Sequence, residues 1–488
     1  MAGPDEPSAS RPPRAEAGGP LAAVAVAVVA VAVVAAASFV AGPVARPPAP
    51  APASASEGPI GQASPAPSVT PGDQPAPGGP ATLTGAAPAV GSIAAVDASG
   101  ALSVIAPDGR SVLVTGPDEV TVGFPAWSPD GSRVAAVVGR DGATTIEVVP
   151  IDAADASAGR PVAIYRSAIQ QAFYVSWLPG GRAVSFLAND ADIVDLRVAD
   201  ADLPAPLDES DHGSLIRKGA PLYFDWLDDE RALLHVGVGP SAFLARVERD
   251  GHEDGGDLVR PGNFRSAQVS ADGRTLAYIR ASASGDGSEE VVVAPIAGGS
   301  EWTIPVFGPA AITFSPTDGL VAAIGADTTG QPDRSFPVGP LRILDAATGA
   351  SHVALDGAVV AWFWSPDGRT IFALRLQVPS GGTADAASVD LAAGSPSPVP
   401  SEVHALFVDV DTGTVLADHI VQPGPRFVSE LLPYFDQYAL SHRLWAPDSS
   451  SFLLPVVGTD GTATIIALPR DGSASPFSIG ATAAFWSP

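Results

Sequence analysis

Asp190, Asp192 and Asp195 stand at alternate or near-alternate positions. That spacing can turn carboxylate oxygens onto a hard cation such as calcium. No EF-hand-like glycine or distal glutamate follows them, so the run reads as a solvated acidic loop. Asp208, Glu209, Asp211 and His212 form a second cluster with the same reading. The seven histidines are scattered and include no His-Glu-x-x-His pair. No Gly-x-Ser-x-Gly elbow, P-loop or dinucleotide-binding glycine pattern is present. The absence of cysteine excludes disulfides, thiolate metal sites and a cysteine nucleophile. We therefore expect no catalytic residue, no metal and no cofactor. Isolated carboxylates on different elements could still meet in a central channel and act on glycans, which is the enzymatic alternative.

Contact chemistry is richer in one place. Residues 427–440 (FVSELLPYFDQYAL) suggest a short helix, with Leu431, Leu432, Phe435 and Leu440 packing inward. Arg426, Tyr434 and Tyr438 are then candidate partner-binding residues, of types enriched at interfaces. The competing reading is a plug that caps a central channel.

The elements that must position these groups follow from an internal repeat. Trp127 opens WSPDGSRVAAVV, Trp177 opens WLPGGRAVSFLA and Trp226 opens WLDDERALLHVG. Val269 opens VSADGRTLAYIR and Phe314 opens FSPTDGLVAAIG. Trp364 opens WSPDGRTIFALR, and Trp445 opens WAPDSSSFLLPV. The spacings are 50, 49, 43, 45, 50 and 81 residues. All but the last suit one four-stranded blade.

Each unit has a physical logic. The leading aromatic or apolar residue ends one strand and can wedge between neighbouring blades. Pro129 or Pro366 presets φ for a tight turn, Asp130 or Asp367 tolerates the next position, and Gly131 or Gly368 takes the left-handed conformation. A strand with apolar residues at consecutive positions follows, which means burial on both faces. A third strand, a second tight turn and a fourth strand complete the unit, A to D. The chain ends on Phe485-Trp486-Ser487-Pro488, a further strand A cut off inside its turn. The first folded residues, from Ser92, read as strands B, C and D without an A. Joined in space, the two ends make one blade and leave no open edge. The expected fold is an all-β, eight-bladed β-propeller of four-stranded antiparallel blades over residues 92–488.

These residues resemble the TolB-like, WD40-like SPDG-repeat propellers. The repeat is complete at 127–131 and 364–368 and degraded elsewhere. The resemblance implies the propeller fold. It implies no single activity, since the same repeat serves scaffolds, periplasmic binding proteins and peptidase accessory domains.

In such a blade the A–B and C–D turns share one end, and the B–C and D–A connections share the other. The first set reads as short. The second includes residues 189–195, 281–290, 325–339 and 378–402 as B–C members and 203–220 and 421–443 as D–A members. Variable loops on a rigid scaffold are where recognition sits. A protein, peptide or glycan is the expected ligand, bound at the long-loop end without catalysis.

Residues 21–42 carry no charge and would span roughly 33 Å as a helix, enough for a hydrocarbon core. Arg11 and Arg14 precede the segment, which places residues 1–20 as a cytoplasmic tail and the remainder outside. Cleavage near residues 35–37 would instead secrete the chain. Residues 43–91 are rich in Pro, Ala and Ser and read as a disordered stalk, with a reach between roughly 40 Å as a coil and roughly 150 Å extended. The net charge of −27, with Lys218 the sole lysine, argues against nucleic acid as a partner. Nothing in the sequence fixes an oligomeric state.

Overall fold

The computed structural model describes residues 80–115, 121–152, 157–190, 193–202, 213–237, 243–253, 267–282, 289–306, 310–317, 319–325, 337–377, 402–458 and 460–488. The expected tail, membrane helix and most of the stalk lie outside them. Among the described residues no helix is long and apolar enough to cross a membrane.

The repeat folds locally for reasons visible in its turns. Asp130 accepts hydrogen bonds from the Ser128 hydroxyl at 2.6 Å and from the Ser132 N–H at 3.1 Å. Gly131, at φ +70°, donates its N–H to the Ser128 carbonyl at 2.9 Å. Ser365, Asp367 and Gly368 repeat the same bonds. An Asp two residues after a Ser thus closes a side-chain ring that a backbone turn alone would leave to water.

The turns join antiparallel strands in chain order. Strand A Gln171–Trp177 pairs with Ala183–Asp190, which pairs with Ile193–Asp200, which pairs with Ser214–Gly219. Among the described residues this pattern gives seven hydrogen-bonded sheets. The largest has seven strands and holds two repeats, because the 14-residue strand Ser351–Trp364 serves as strand D of one and strand A of the next. The sheet begun by Leu222–Trp226 shows three strands. Both faces of the inner strands are apolar, as in Arg133–Arg140, where five consecutive residues are buried. Sheets then pack face to face: Phe372 stacks on Phe452 of the next repeat with ring centroids 3.7 Å apart. The arrangement is a β-propeller.

The ends meet. Ile93–Val96 pairs antiparallel with Ala483–Trp486, Ile93 opposite Trp486. The strand order there is A from the C-terminus, then Ile93–Val96, Leu102–Ile105 and Ser111–Thr115. A second clasp lies inside the stretch read as stalk: Leu83–Gly85 is a strand and pairs with Phe477–Ile479. Only three residues are involved, too short a signal to stand out in a Pro/Ala/Gly-rich background.

Two loop assignments change. Residues 203–212, expected on the D–A side, lie between strand C Ile193–Asp200 and strand D Ser214–Gly219, so they belong to a C–D connection. Most of residues 189–195 is strand, because strands run to Asp190 and resume at Ile193. The cluster Asp208, Glu209, Asp211 and His212 lies outside the described residues, as does Asp192.

Candidate functional site

The tryptophans that open the repeats do more than fill space. Trp127 donates its indole N–H to the Phe485 carbonyl at 3.0 Å, Trp177 to Ala126 at 2.9 Å and Trp445 to Phe363 at 3.0 Å. Each acceptor immediately precedes the aromatic of the previous repeat. Trp226 reaches the same position through a relay: it donates to the Ser185 hydroxyl, which donates to the Ser176 carbonyl. Trp364 donates to the Thr313 hydroxyl, beside Phe314, at 2.9 Å.

Two repeats open on Val269 and Phe314, which have no indole. There the preceding side chain reverses the bond. Asp225 accepts from the Val269 N–H at 2.9 Å, and Gln268 accepts from the Phe314 N–H at 3.1 Å. Sequence reasoning missed Asp225 and Gln268; the available signal was a polar residue ahead of a non-Trp opening or its neighbour. Burial pushes the Asp225 carboxyl up to about 7, against the lowering effect of the Val269 and Trp226 N–H groups.

These inner strands face an axis, and residues 427–442 fill it. The segment follows strand D Val415–Val421 and returns to Trp445, a D–A insertion as expected from the 81-residue spacing. It forms a π-helical turn Phe427–Leu431, a 3₁₀ turn Leu432–Tyr434 and one α-helical turn Phe435–Tyr438. The Gln437 amide accepts from the Phe224 N–H at 3.1 Å and donates to the Phe224 carbonyl at 2.8 Å. The Tyr174 hydroxyl reaches the Gln437 carbonyl at 3.1 Å. Gln268 donates to the Asp436 carbonyl at 3.1 Å. Phe435 packs edge-on against Trp362 and Phe363.

Of the three expected contact residues, the structure turns two inward. Tyr438 is buried among Phe124, Tyr174 and His442, and burial drives its hydroxyl well above the usual tyrosine range. Arg426 stacks over Phe124 with its guanidinium 4.6 Å from the ring centroid, donates to the Val122 carbonyl and pairs with Glu430. Their apolar ring and stem are more useful to the filled axis than to water. Tyr434 remains partly exposed, and Leu440, expected to pack inward, is exposed to a similar degree. Leu431, Leu432 and Phe435 are buried as expected.

His442 completes the plug. Its Nδ1 lies 2.7 Å from the Ser441 hydroxyl and its Nε2 3.4 Å from the Phe124 carbonyl. A carbonyl only accepts, so Nε2 carries the proton and Nδ1 accepts from Ser441. Burial holds the imidazole neutral, at about 4. Tyr174, pushed up to about 12 by burial, closes the network at 2.7 Å from Ser441.

Asp195 does not lie on the solvated acidic loop expected of it. It is fully buried on strand C, where Arg197 contacts it at 2.9 Å, Lys218 at 3.1 Å and Gln170 at 3.0 Å. Burial alone would raise its carboxyl; the bonds from Gln170, Lys218 and Arg197 outweigh that and hold it below the usual range. Among the described residues no group of three or more His, Asp or Glu is placed to hold a metal.

No family model matches the chain, and no curated protein matches it. Solved structures do. A eukaryotic initiation factor is 13% identical over 82% of this chain and 99% of its own, with a TM-score of 0.43. TolB from Acinetobacter baumannii is 14% identical over 67% and 65%, TM-score 0.32. An oligogalacturonate lyase in complex with manganese is 12% identical over 62% and 95%, TM-score 0.39. At these scores none of them bears on ligand or activity.

Proposed function

We propose that this protein is a membrane-anchored, extracytoplasmic β-propeller of eight blades that binds or scaffolds a protein, peptide or glycan without catalysis. The blade count rests on the eight openings at 127, 177, 226, 269, 314, 364, 445 and 486. The anchor rests on residues 21–42 and the stalk after them, from the sequence alone.

One observation carries the non-catalytic reading. The axis is occupied by the chain's own side chains, held by amide-to-backbone bonds from Gln437 to Phe224. The interstice bounded by Phe124, Phe427, Leu431 and Phe485 is too small for a water molecule. Asp225, whose carboxyl burial raises to about 7, accepts the Val269 N–H on one of its two oxygens. Recognition therefore falls to the ends of the ring. The B–C connections expected at 281–290, 325–339 and 378–402 join strands whose ends lie at the D–A end, and these are the loops we assign to binding.

The test is capture of partners from membranes with the full chain and with a chain in which residues 378–401 are replaced by a short Gly-Ser link. Loss of a partner from the shortened chain supports the reading. Equal recovery of every partner from both would sink it. Deleting residues 421–443 is not a usable control, because that segment is core.

A further inference from the structure

The strand Ser351–Trp364 changes role at Asp356 and Gly357. Before them it is strand D of one repeat, with Leu355 opposite Leu341. After them it is strand A of the next, with Ala358 opposite Leu376. Val359 still stands opposite Gly339, so Pro340 alone faces residues 356–358. The result is a bulge, and Pro340 has no N–H to offer it. Asp356 and Gly357 have no partner in either ladder, and both are exposed. Gly357 adopts φ +100°, a conformation that favours glycine. Its N–H donates to Oδ1 of Asp356, the residue just before it, at 2.8 Å.

The other described Asp–Gly steps are built differently. At Asp108, Asp130, Asp250, Asp272, Asp367, Asp460 and Asp471 the glycine N–H donates to the carbonyl three residues back, at 2.8 to 3.1 Å. In each of these turns the carboxylate accepts instead from the N–H two residues on, at 2.9 to 3.1 Å. The turn thus draws carboxylate and glycine nitrogen to different partners. Asp141–Gly142 closes a two-residue hairpin between Arg140 and Ala143, which pair directly. Among the described residues, Asp356 is the one aspartate whose carboxylate lies on the N–H of the glycine after it.

That contact has a chemical consequence. We propose that Asp356–Gly357 is a self-modification site, where the native chain forms a succinimide and opens it to isoaspartate. The Gly357 nitrogen attacks Cγ of Asp356 and an N–Cγ bond forms. A Cγ–O bond breaks, and that oxygen leaves as water with the carboxyl proton and the amide proton. Gly357 has no side chain to obstruct the approach. Water then adds to the main-chain carbonyl of residue 356 and breaks its bond to nitrogen, which gives isoaspartate; addition at Cγ restores aspartate. No oxidant or co-reactant is needed. The product carries one more methylene in its main chain. The extra atom falls in the bulge, where no ladder bond has to break to admit it.

The sequence supplies its own control. Trypsin cleavage at Arg342 and Arg369 releases residues 343–369 as one peptide, which holds both Asp356–Gly357 and Asp367–Gly368. The full chain is held for weeks in mildly acidic buffer below its melting temperature, and a second sample is held unfolded in urea. Electron-transfer fragmentation of the peptide locates isoaspartate, and a mass lower by one water marks the succinimide. The expected result is several-fold more product at 356 than at 367 in the native chain, and comparable amounts at both in the unfolded chain. Asp356→Asn closes the same ring by losing ammonia, and should raise the native yield at 356 several-fold while leaving 367 unchanged. Equal yields in the native chain, a preference for 367, or no product at 356 would overturn the proposal. The same preference in urea would overturn it too, by assigning the effect to neighbouring sequence and not to the bulge.

Discussion

The indole N–H of Trp127 donates to the carbonyl of Phe485 across 358 positions of sequence, and it closes the ring with the same bond that joins its inner neighbours. The first and last repeats thus meet as the repeats opened by Trp177 and Trp445 meet the ones before them. Beside it, Ile93–Val96 and Ala483–Trp486 supply a full antiparallel register.

Removal of residues 483–488 takes strand A from the closing blade and the acceptor from Trp127. It exposes the edge of Ile93–Val96, a template for association. The truncated chain should melt well below the full chain, lose cooperativity and aggregate, as read by calorimetry and light scattering. Removal of residues 80–86, which make the short outer clasp and one buried bond from Ala81 to Ser103, should cost less. Equal losses would mean that the closure is not concentrated at Trp486.

Gln437→Leu leaves the Phe224 N–H and carbonyl without their partners inside a packed axis. An unsatisfied buried polar group costs about 1–3 kcal/mol, and two are exposed to that penalty. Chemical denaturation should show a loss of roughly 2–4 kcal/mol. Tyr434→Ala, on the exposed side of the same segment, should fall within about 0.5 kcal/mol of the parent.

Asp225 makes stability depend on pH in a particular direction. Its folded carboxyl is raised to about 7 from an ordinary value of 3.8, so its folded form holds a proton more tightly than the unfolded chain does. The stabilisation is fully present below about pH 4 and is lost as pH rises through about 7, at roughly 1.4 kcal/mol for each unit between. Asp225→Asn keeps an acceptor for Val269 and removes the loss. The variant should match the parent at pH 4 and exceed it at pH 8 in denaturation midpoints. A parent that is the more stable at pH 8 would contradict this.

His442 acts in the opposite sense. Burial lowers it from 6.5 to about 4, so protonation of the unfolded chain below pH 6.5 drains stability as pH falls. Replacing His442 by Gln, which can still accept from Ser441, should flatten the acid limb between about pH 6.5 and 4 in the same titration.

Asp195 is a buried carboxylate held by Arg197, Lys218 and Gln170. Asp195→Ala removes the carboxylate paired with the largely buried Arg197, and should cost about 3 kcal/mol. Lys218→Met should cost about 1 kcal/mol, because its ammonium is close to half exposed and water replaces the pair. A double-mutant cycle on the two measures the coupling.

The repeat was legible because its chemistry is local. Trp127 to Gly131 and Trp364 to Gly368 state a turn, and the runs after them state strands buried on both faces. The missing strand A at Ile93 and the surplus one at Trp486 stated the closure. The plug was only half legible. Leu431, Leu432 and Phe435 are inward on their apolar character, whereas Tyr438 and Arg426 carry polar tips that read equally well as surface contacts.

The sequence by itself determined the strands, their turns and the joining of the two ends, because those depend on residue type within a few positions. Only the tertiary structure decided which polar residues serve the axis. Asp225, Gln268 and Gln437 matter through partners 44, 46 and 213 positions away. Such pairings are set by where each blade falls around the ring, and no spacing along the chain records that. The direction of Leu83–Gly85 was likewise decided by pairing with Phe477–Ile479. Three residues carry too little pattern to name their partner strand; the exposed outer edge of the last blade names it for them.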